Sequence, residues 1–224
     1  MGRSAILGLA VLVAALCACK KDGAADKKSE AEAGNDYGRK RFDAELAKES
    51  PDETAIGTSL EMAGPEAPKM AADGLKIELE KKSPRKKVVD LLLKKSGDTG
   101  VELTMNTMKA ELKDAKGSTS KISTCLGAIL RNAPSEDAKD KAGTAAVDQL
   151  SEEFSLCKAG KGCLRADRLG GALVKTFDDA NQDSLADKLC SKGQGYHRRI
   201  KKESPGFQSL ASTCSIRKIQ KMGK

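Results

Sequence analysis

The chain has 224 residues, with 40 Lys and Arg against 32 Asp and Glu, a formal net charge of +8, no Trp and only 3% aromatic residues. That length suffices for one domain or a short repeat array, and a core made almost without aromatics leans on Leu, Ala, Val and Met, which favours helices packed on helices. One histidine and no Cys-x-x-Cys spacing exclude a zinc ribbon and a c-type haem attachment site.

The charge is unevenly placed. Residues 19–50 hold eight basic and eight acidic side chains, and residues 51–190 hold 22 and 23. Residues 191–224 hold nine and one, so the excess belongs to the tail.

At the amino terminus Arg3 supplies one positive charge, and Ala5 to Cys19 carries none. The apolar run falls short of the roughly 20 residues that span a bilayer as a helix. A charged start, a short apolar segment and small residues at its end predict a secretory signal. Leu16-Cys17-Ala18-Cys19 then resembles the lipobox of bacterial lipoproteins, with Cys17 at the tolerant position. The resemblance implies cleavage before Cys19 and acylation of Cys19, so that residues 1–18 leave as the signal peptide and the chain is held by membrane lipid. Lys20, where an inner-membrane lipoprotein commonly has Asp, implies an outer-membrane location facing the periplasm.

Residues 19–49 are Lys, Asp, Glu, Ala and Gly with little to bury, and predict a disordered tether. Arg39 to Lys48 is the exception: Phe42 and Leu46 share a face at i, i+4, which predicts a short helix there.

From residue 50 the pattern repeats. Ser50-Pro51 and Ser83-Pro84 are 33 residues apart, and so are Gly64 and Gly97. Serine caps a helix and proline suits its first position, and Ser50 with Glu53 makes a capping box; Ser204-Pro205 predicts a further start. Two features sharing one period predict stacked units, each burying an apolar face on the next. The stretch SPRKKVVDLLLKKSGDTG resembles the inner helix of a HEAT-type repeat and the turn after it. The resemblance implies a short HEAT-like α-solenoid over residues 50–154. It departs at Lys86 and Lys87, where the family often has Arg, and it lacks the usual Asp near the turn.

Further helices follow from periodicity: Thr119 to Arg131, with Ile122, Cys125, Leu126, Ile129 and Leu130 on one stripe, and Ser135 to Cys157, with Ala142, Ala146, Leu150 and Phe154. Leu164 to Phe177 and Asp183 to Leu189 predict a hairpin across DDANQD, and Phe207 to Lys218 a last helix. Leu75, Ile77 and Leu79 alternate, as do Val101, Leu103 and Met105, which is a strand signal; the surrounding Ala, Met, Glu and Lys predict helix instead.

Five cysteines lie beyond Cys19. Cys125 sits in an apolar stripe and is predicted free. The other four lie in residues 155–224, predicted as a disulfide-tied helical cap with a basic tail. Two pairings fit: Cys163–Cys190 with Cys157–Cys214, which a hairpin closed at its open end favours, and Cys157–Cys163 with Cys190–Cys214.

No Gly-x-Ser-x-Gly, P-loop or dinucleotide fingerprint is present. His197 in YHRRIKK is a solvated residue among basic neighbours. Asp178, Asp179 and Asp183 lack the glycine and terminal glutamate of an EF-hand loop and read as a polar helix–helix turn. The chain is therefore expected to be an all-α, non-enzymatic envelope lipoprotein with no cofactor or metal, presenting a helical surface to a protein partner. The alternative is electrostatic binding of an anionic envelope polymer or lipid head groups through Arg198, Arg199, Lys201, Lys202, Arg217, Lys218 and Lys221. No nucleic-acid partner is expected.

Overall fold

The computed structural model describes residues 36–158, 163–203 and 209–223. The signal segment, Cys19 and Ser204-Pro205 lie outside the described residues, as do the side chains of residues 197–203. Among the described residues the regular structure is helical throughout, as the composition leads one to expect. The chain divides into two compact units, Met1–Glu66 and Ala67–Lys224.

In the first unit, residues 36–46 form α1 and Glu53–Met62 forms α2, followed by one 3-10 turn, Gly64–Glu66. The two helices make a close hairpin: a Cβ added at Gly38 would lie 3.1 Å from the carbonyl oxygen of Ser59. Phe42 and Leu46 of α1 are buried, as are Ile56 and Leu60 of α2. Residues 36–46 are helix, as the i, i+4 pair Phe42 and Leu46 predicts for Arg39 to Lys48, with the helix beginning three residues earlier and ending two earlier.

The second unit begins with α3 (Ala67–Glu80) and α4 (Lys86–Lys113), which is broken at Gly97, where φ is 60° and ψ −141°. Only glycine adopts that conformation readily, so α4 is two arms around a sharp turn, as the SGDTG stretch predicts. Gly64 also has positive φ, 53°. Helix α5 spans Thr119–Asn132, α6 Glu136–Lys158, α7 Cys163–Asp179, α8 Asp183–Glu203 and α9 Ser209–Met222. Both alternating segments are helical: Leu75 and Leu79 face the core and Ile77 faces outward.

The repeat is more deeply written than its Ser-Pro and Gly markers suggest. The N-cap residues of α2, α4 and α5 are Asp52, Arg85 and Ser118, spaced by 33, with nearly the same backbone angles: φ/ψ of −81/112°, −78/110° and −74/113°. Each gives its backbone N–H to a glutamate seven residues earlier: Asp52 to Glu45 at 2.6 Å, Arg85 to Glu78 at 2.7 Å and Ser118 to Glu111 at 2.8 Å. Glu45, Glu78 and Glu111 share the period, and the core follows it: Phe42, Leu75 and Met108; Leu46, Leu79 and Leu112; Ile56, Val89 and Ile122; Leu60, Leu93 and Leu126 are all buried. Three hairpins are therefore built on one template, namely α1 with α2, α3 with the first arm of α4, and the second arm of α4 with α5. The caps correct two expectations. Asp52 rather than Ser50 caps α2, accepting from the N–H groups of Thr54 and Ala55. Helix α4 starts after Arg85 rather than at Ser83-Pro84 and has no side-chain cap of its own; Glu78 ties down that end.

Beyond α5 the template stops. Helices α6 to α9 bury their own stripes, including Ala146, Leu150 and Phe154 of α6 and Leu169, Leu173 and Phe177 of α7. Helix α7 packs against α5, α6, α8 and α9, so it is the central element of the cap.

Candidate functional site

The cap holds most residues that the sequence singles out, and α7 packs against each of its other helices. Asp167, 1% exposed, accepts the backbone N–H groups of Ser209 and Leu210 at 2.9 and 3.0 Å. It thereby caps α9 from a neighbouring helix, meeting the orphan donors of a helix start. Two glycines on α7 let α9 approach: a Cβ at Gly171 would come within 2.3 Å of Ser209 Oγ, and one at Gly170 within 3.0 Å of Leu210 Cδ2. Nothing in the sequence marks Asp167 or Gly170-Gly171 as the seat of α9; only the docked helix gives them that role.

The cysteines pair as Cys157–Cys163 and Cys190–Cys214, with Cα–Cα distances of 4.7 and 5.6 Å. The pairing that a simple α7–α8 hairpin favours, Cys163–Cys190 with Cys157–Cys214, is therefore wrong. Helix α6 ends one residue past the first cysteine and α7 begins at the second, which sets Cys157 and Cys163 with their Cα atoms 4.7 Å apart. Helix α9 lies alongside both α7 and α8, which brings Cys214 to Cys190. Cys125 is free and buried, as expected, and burial pushes its thiol up to about 12.

The basic tail is only partly a basic surface. Arg217 is 6% exposed. Its guanidinium pairs with Asp178, with Asp183 at 2.6 Å and with Asp187 at 3.0 Å, and it also donates to the Asp183 backbone carbonyl at 3.1 Å. Lys221 reaches Asp187 at 2.7 Å and Asp183 at 3.9 Å. Arg217 is thus no surface cation; it is the inward anchor of α9 on the DDANQD turn, where Asp178 and Asp183 are occupied by this internal pairing and Asp179 lies 3.8 Å from Lys86 Nζ. Lys218 is exposed. Arg198, Arg199, Lys201 and Lys202 lie on the last turns of α8, with side chains outside the described residues, as is that of His197.

Between α8 and α9 lies an open cleft of about 220 Å³, lined by Cys190, Gly193 and Gln194 on one side and Leu210, Cys214 and Lys218 on the other. It is smaller than the roughly 300–1,000 Å³ typical of small-molecule sites, and the two cysteines on its wall are joined in a disulfide. Helix α8 is also fixed to α6: the rings of Phe154 and Tyr196 stack with centroids 4.8 Å apart, and Lys192 Nζ donates to Ser151 Oγ at 2.9 Å. Among the described residues no group of three or more His, Cys, Asp or Glu is placed to hold a metal ion, and no helix is long and apolar enough to cross a membrane.

The outer side of α9 is different in kind. Ile216, Ile219 and Met222 are 56%, 65% and 70% exposed. No protein-family model, curated protein or solved structure matches this chain.

Proposed function

We propose that the protein is an envelope lipoprotein, anchored through acylated Cys19, that serves as a non-enzymatic scaffold for a protein partner. The observation that carries this reading is the 33-residue template: three hairpins with the same cap geometry, the same capping glutamate and the same four buried positions. Units of this kind support a short HEAT-like array, and such arrays generally use the surface of successive helices for binding. Leu16-Cys17-Ala18-Cys19 supports the anchor and Lys20 an outer-membrane destination facing the periplasm. Acyl chains on one cysteine give stable anchoring where a single chain is marginal.

Two measurements test the two halves. Metabolic labelling with an alkyne fatty acid should mark the wild-type chain and not Cys19→Ser, which should also leave the membrane fraction; labelling of the variant, or none of the wild type, refutes the anchor. Cross-linking in intact cells from probes on the exposed sides of α3 to α5 should attach one recurrent protein. Attachment from the cap alone refutes the scaffold reading.

A further inference from the structure

The two disulfides of the cap have opposite surroundings. Cys157 and Cys163 are buried, 1% and 3% exposed. Cys190 and Cys214 are only half-buried, and two open clefts meet at their bond. One, of about 220 Å³, runs toward Leu210. The other, of about 330 Å³, runs toward Met222. Cys190, Gln194, Cys214 and Lys218 line both, so the bond is open to solvent from either end of the α8–α9 seam.

The bond is also not alone in holding the two helices together. Ahead of Cys214 in the chain, Asp167 caps α9 through the N–H groups of Ser209 and Leu210. Leu210 packs on α8 at Gly193, where a Cβ would come within 2.4 Å of its Cδ2. Beyond Cys214, Arg217 and Lys221 reach Asp187 of α8 at 3.0 and 2.7 Å. Cys214 is bracketed by contacts that do not involve sulfur.

We propose that Cys190–Cys214 is a thiol–disulfide exchange site, which accepts electrons from a dithiol while the protein stays folded. A thiolate of the dithiol attacks Cys190 Sγ. The mixed disulfide forms as the Cys190–Cys214 bond breaks, and Cys214 leaves as the thiolate. The second thiolate of the dithiol then attacks its own partner sulfur, which frees Cys190 and closes the dithiol to a disulfide. Two electrons and two protons pass to the protein. The contacts on either side of Cys214 keep both sulfurs in place, so reoxidation reverses the step. Cys214 is the leaving group because Lys218 lies one turn on, at i+4, and a neighbouring cation stabilises a thiolate. The carboxylates of the clefts are engaged elsewhere, Asp167 on the α9 amides and Asp187 on Arg217 and Lys221. Cys157–Cys163 lacks the access that exchange requires. The site depends neither on acylation at Cys19 nor on a scaffold partner.

Peptide-resolved alkylation tests this. The native full chain is held without denaturant in dithiothreitol or in reduced thioredoxin, quenched with iodoacetamide at intervals and digested. Cys190 and Cys214 should be labelled about a hundredfold faster than Cys157 and Cys163, which react only on local opening. The α9 amides should keep hydrogen-exchange protection in that reduced state, and oxidised glutathione should restore the same pair. Lys218→Gln should slow the step about threefold, through a poorer leaving group. Faster reduction by thioredoxin at equal dithiol concentration places the natural donor among proteins, and faster reduction by dithiothreitol places it among small dithiols; both agree with the proposal. Equal rates at the two disulfides overturn it. So does reduction that proceeds only as the α9 amides lose protection, which would make the bond a structural staple.

Discussion

Glu78 Oε1 holds the backbone N–H of Arg85 at 2.7 Å while the same carboxylate takes the Arg85 guanidinium and, at 2.7 Å, the Lys81 ammonium. Glu78 is fully buried. Buried carboxylates persist only where donors saturate them, and here one residue joins the end of α3 to the start of α4. Glu78→Ala should therefore destabilise the protein by about 3 kcal/mol, read as a lower urea midpoint with unchanged slope. A loss under 1 kcal/mol would mean the cap geometry is held by packing alone.

The same carboxylate sets an acid limit. Burial by itself would raise the Glu78 pKa, but the hydrogen bonds from Arg85 and Lys81 outweigh it and hold the carboxyl below its ordinary 4.5. Glu45 is also held low, by the backbone N–H of Asp52 first and Lys48 second. Both groups release their protons more readily folded than unfolded. Their stabilisation is complete above the ordinary carboxylate range and drains away as pH falls through the lower folded values. Stability should thus fall on acidification below about pH 4.5, and Glu78→Gln should flatten that slope. An unchanged slope in the variant assigns acid sensitivity to other carboxylates.

Gly97 tests whether the turn within α4 is demanded by backbone or by space. A Cβ there meets nothing within 4 Å, yet φ is 60°. Gly97→Ala should cost about 1–3 kcal/mol through strain alone, and a cavity-filling compensation nearby should not rescue it. Gly57→Ala, also in open space but with no positive φ, is the matched control and should be neutral or stabilising. Equal effects at the two sites would place the cost elsewhere.

How far the sequence reveals this architecture can be judged from particular residues. Helical periodicity is local, so α5 is legible almost to the residue: Thr119 to Arg131 is expected and Thr119–Asn132 observed. The 33-residue period is legible because Gly64 and Gly97 hold the same role in two units. What marks all three units is less visible. Glu45, Glu78 and Glu111 look like any surface glutamate, and their meaning lies in a bond seven residues ahead. Phe42 and Leu46 suffice to predict a short helix in a polar stretch, but nothing in the sequence marks that helix as the first copy of the template, which the Ser-Pro spacing starts only at residue 50. In the cap, Arg217 reads as one more tail cation, since its three aspartates are 30 or more residues away in sequence and only the docking of α9 brings them near. The cysteine pairs fail for the same reason: connectivity depends on where α9 lies, and no periodicity encodes that.

The cysteines make a covalent prediction. A non-reducing digest should yield Cys157–Cys163 and Cys190–Cys214 peptides. Cys190→Ser with Cys214→Ser should cost about 2–4 kcal/mol, more than losing the tighter Cys157–Cys163 loop. Cys125, its thiol raised to about 12 by burial, should resist alkylation at pH 8 until the protein is unfolded. A labelled Cys125 peptide from native protein would show that α5 opens locally.

Helix α9 is held by two polar devices of unequal worth. Arg217 has three aspartate partners, but Asp183 and Asp187 are 70% and 57% exposed, and exposed ion pairs are each worth little. Asp167 has only two backbone partners, yet it is buried, and so is Leu210, whose N–H has no water to fall back on. An unmet buried donor costs about 1–3 kcal/mol. Asp167→Ala should therefore loosen α9 more than Arg217→Met does, although it removes no cross-helix ion pair. Hydrogen exchange resolves the order: the α9 amides should lose more protection in Asp167→Ala, and 0.5 M salt should narrow the gap between Arg217→Met and wild type while leaving Asp167→Ala unchanged. The reverse order would mean that α9 is fastened by its charges, and that the buried cap only follows.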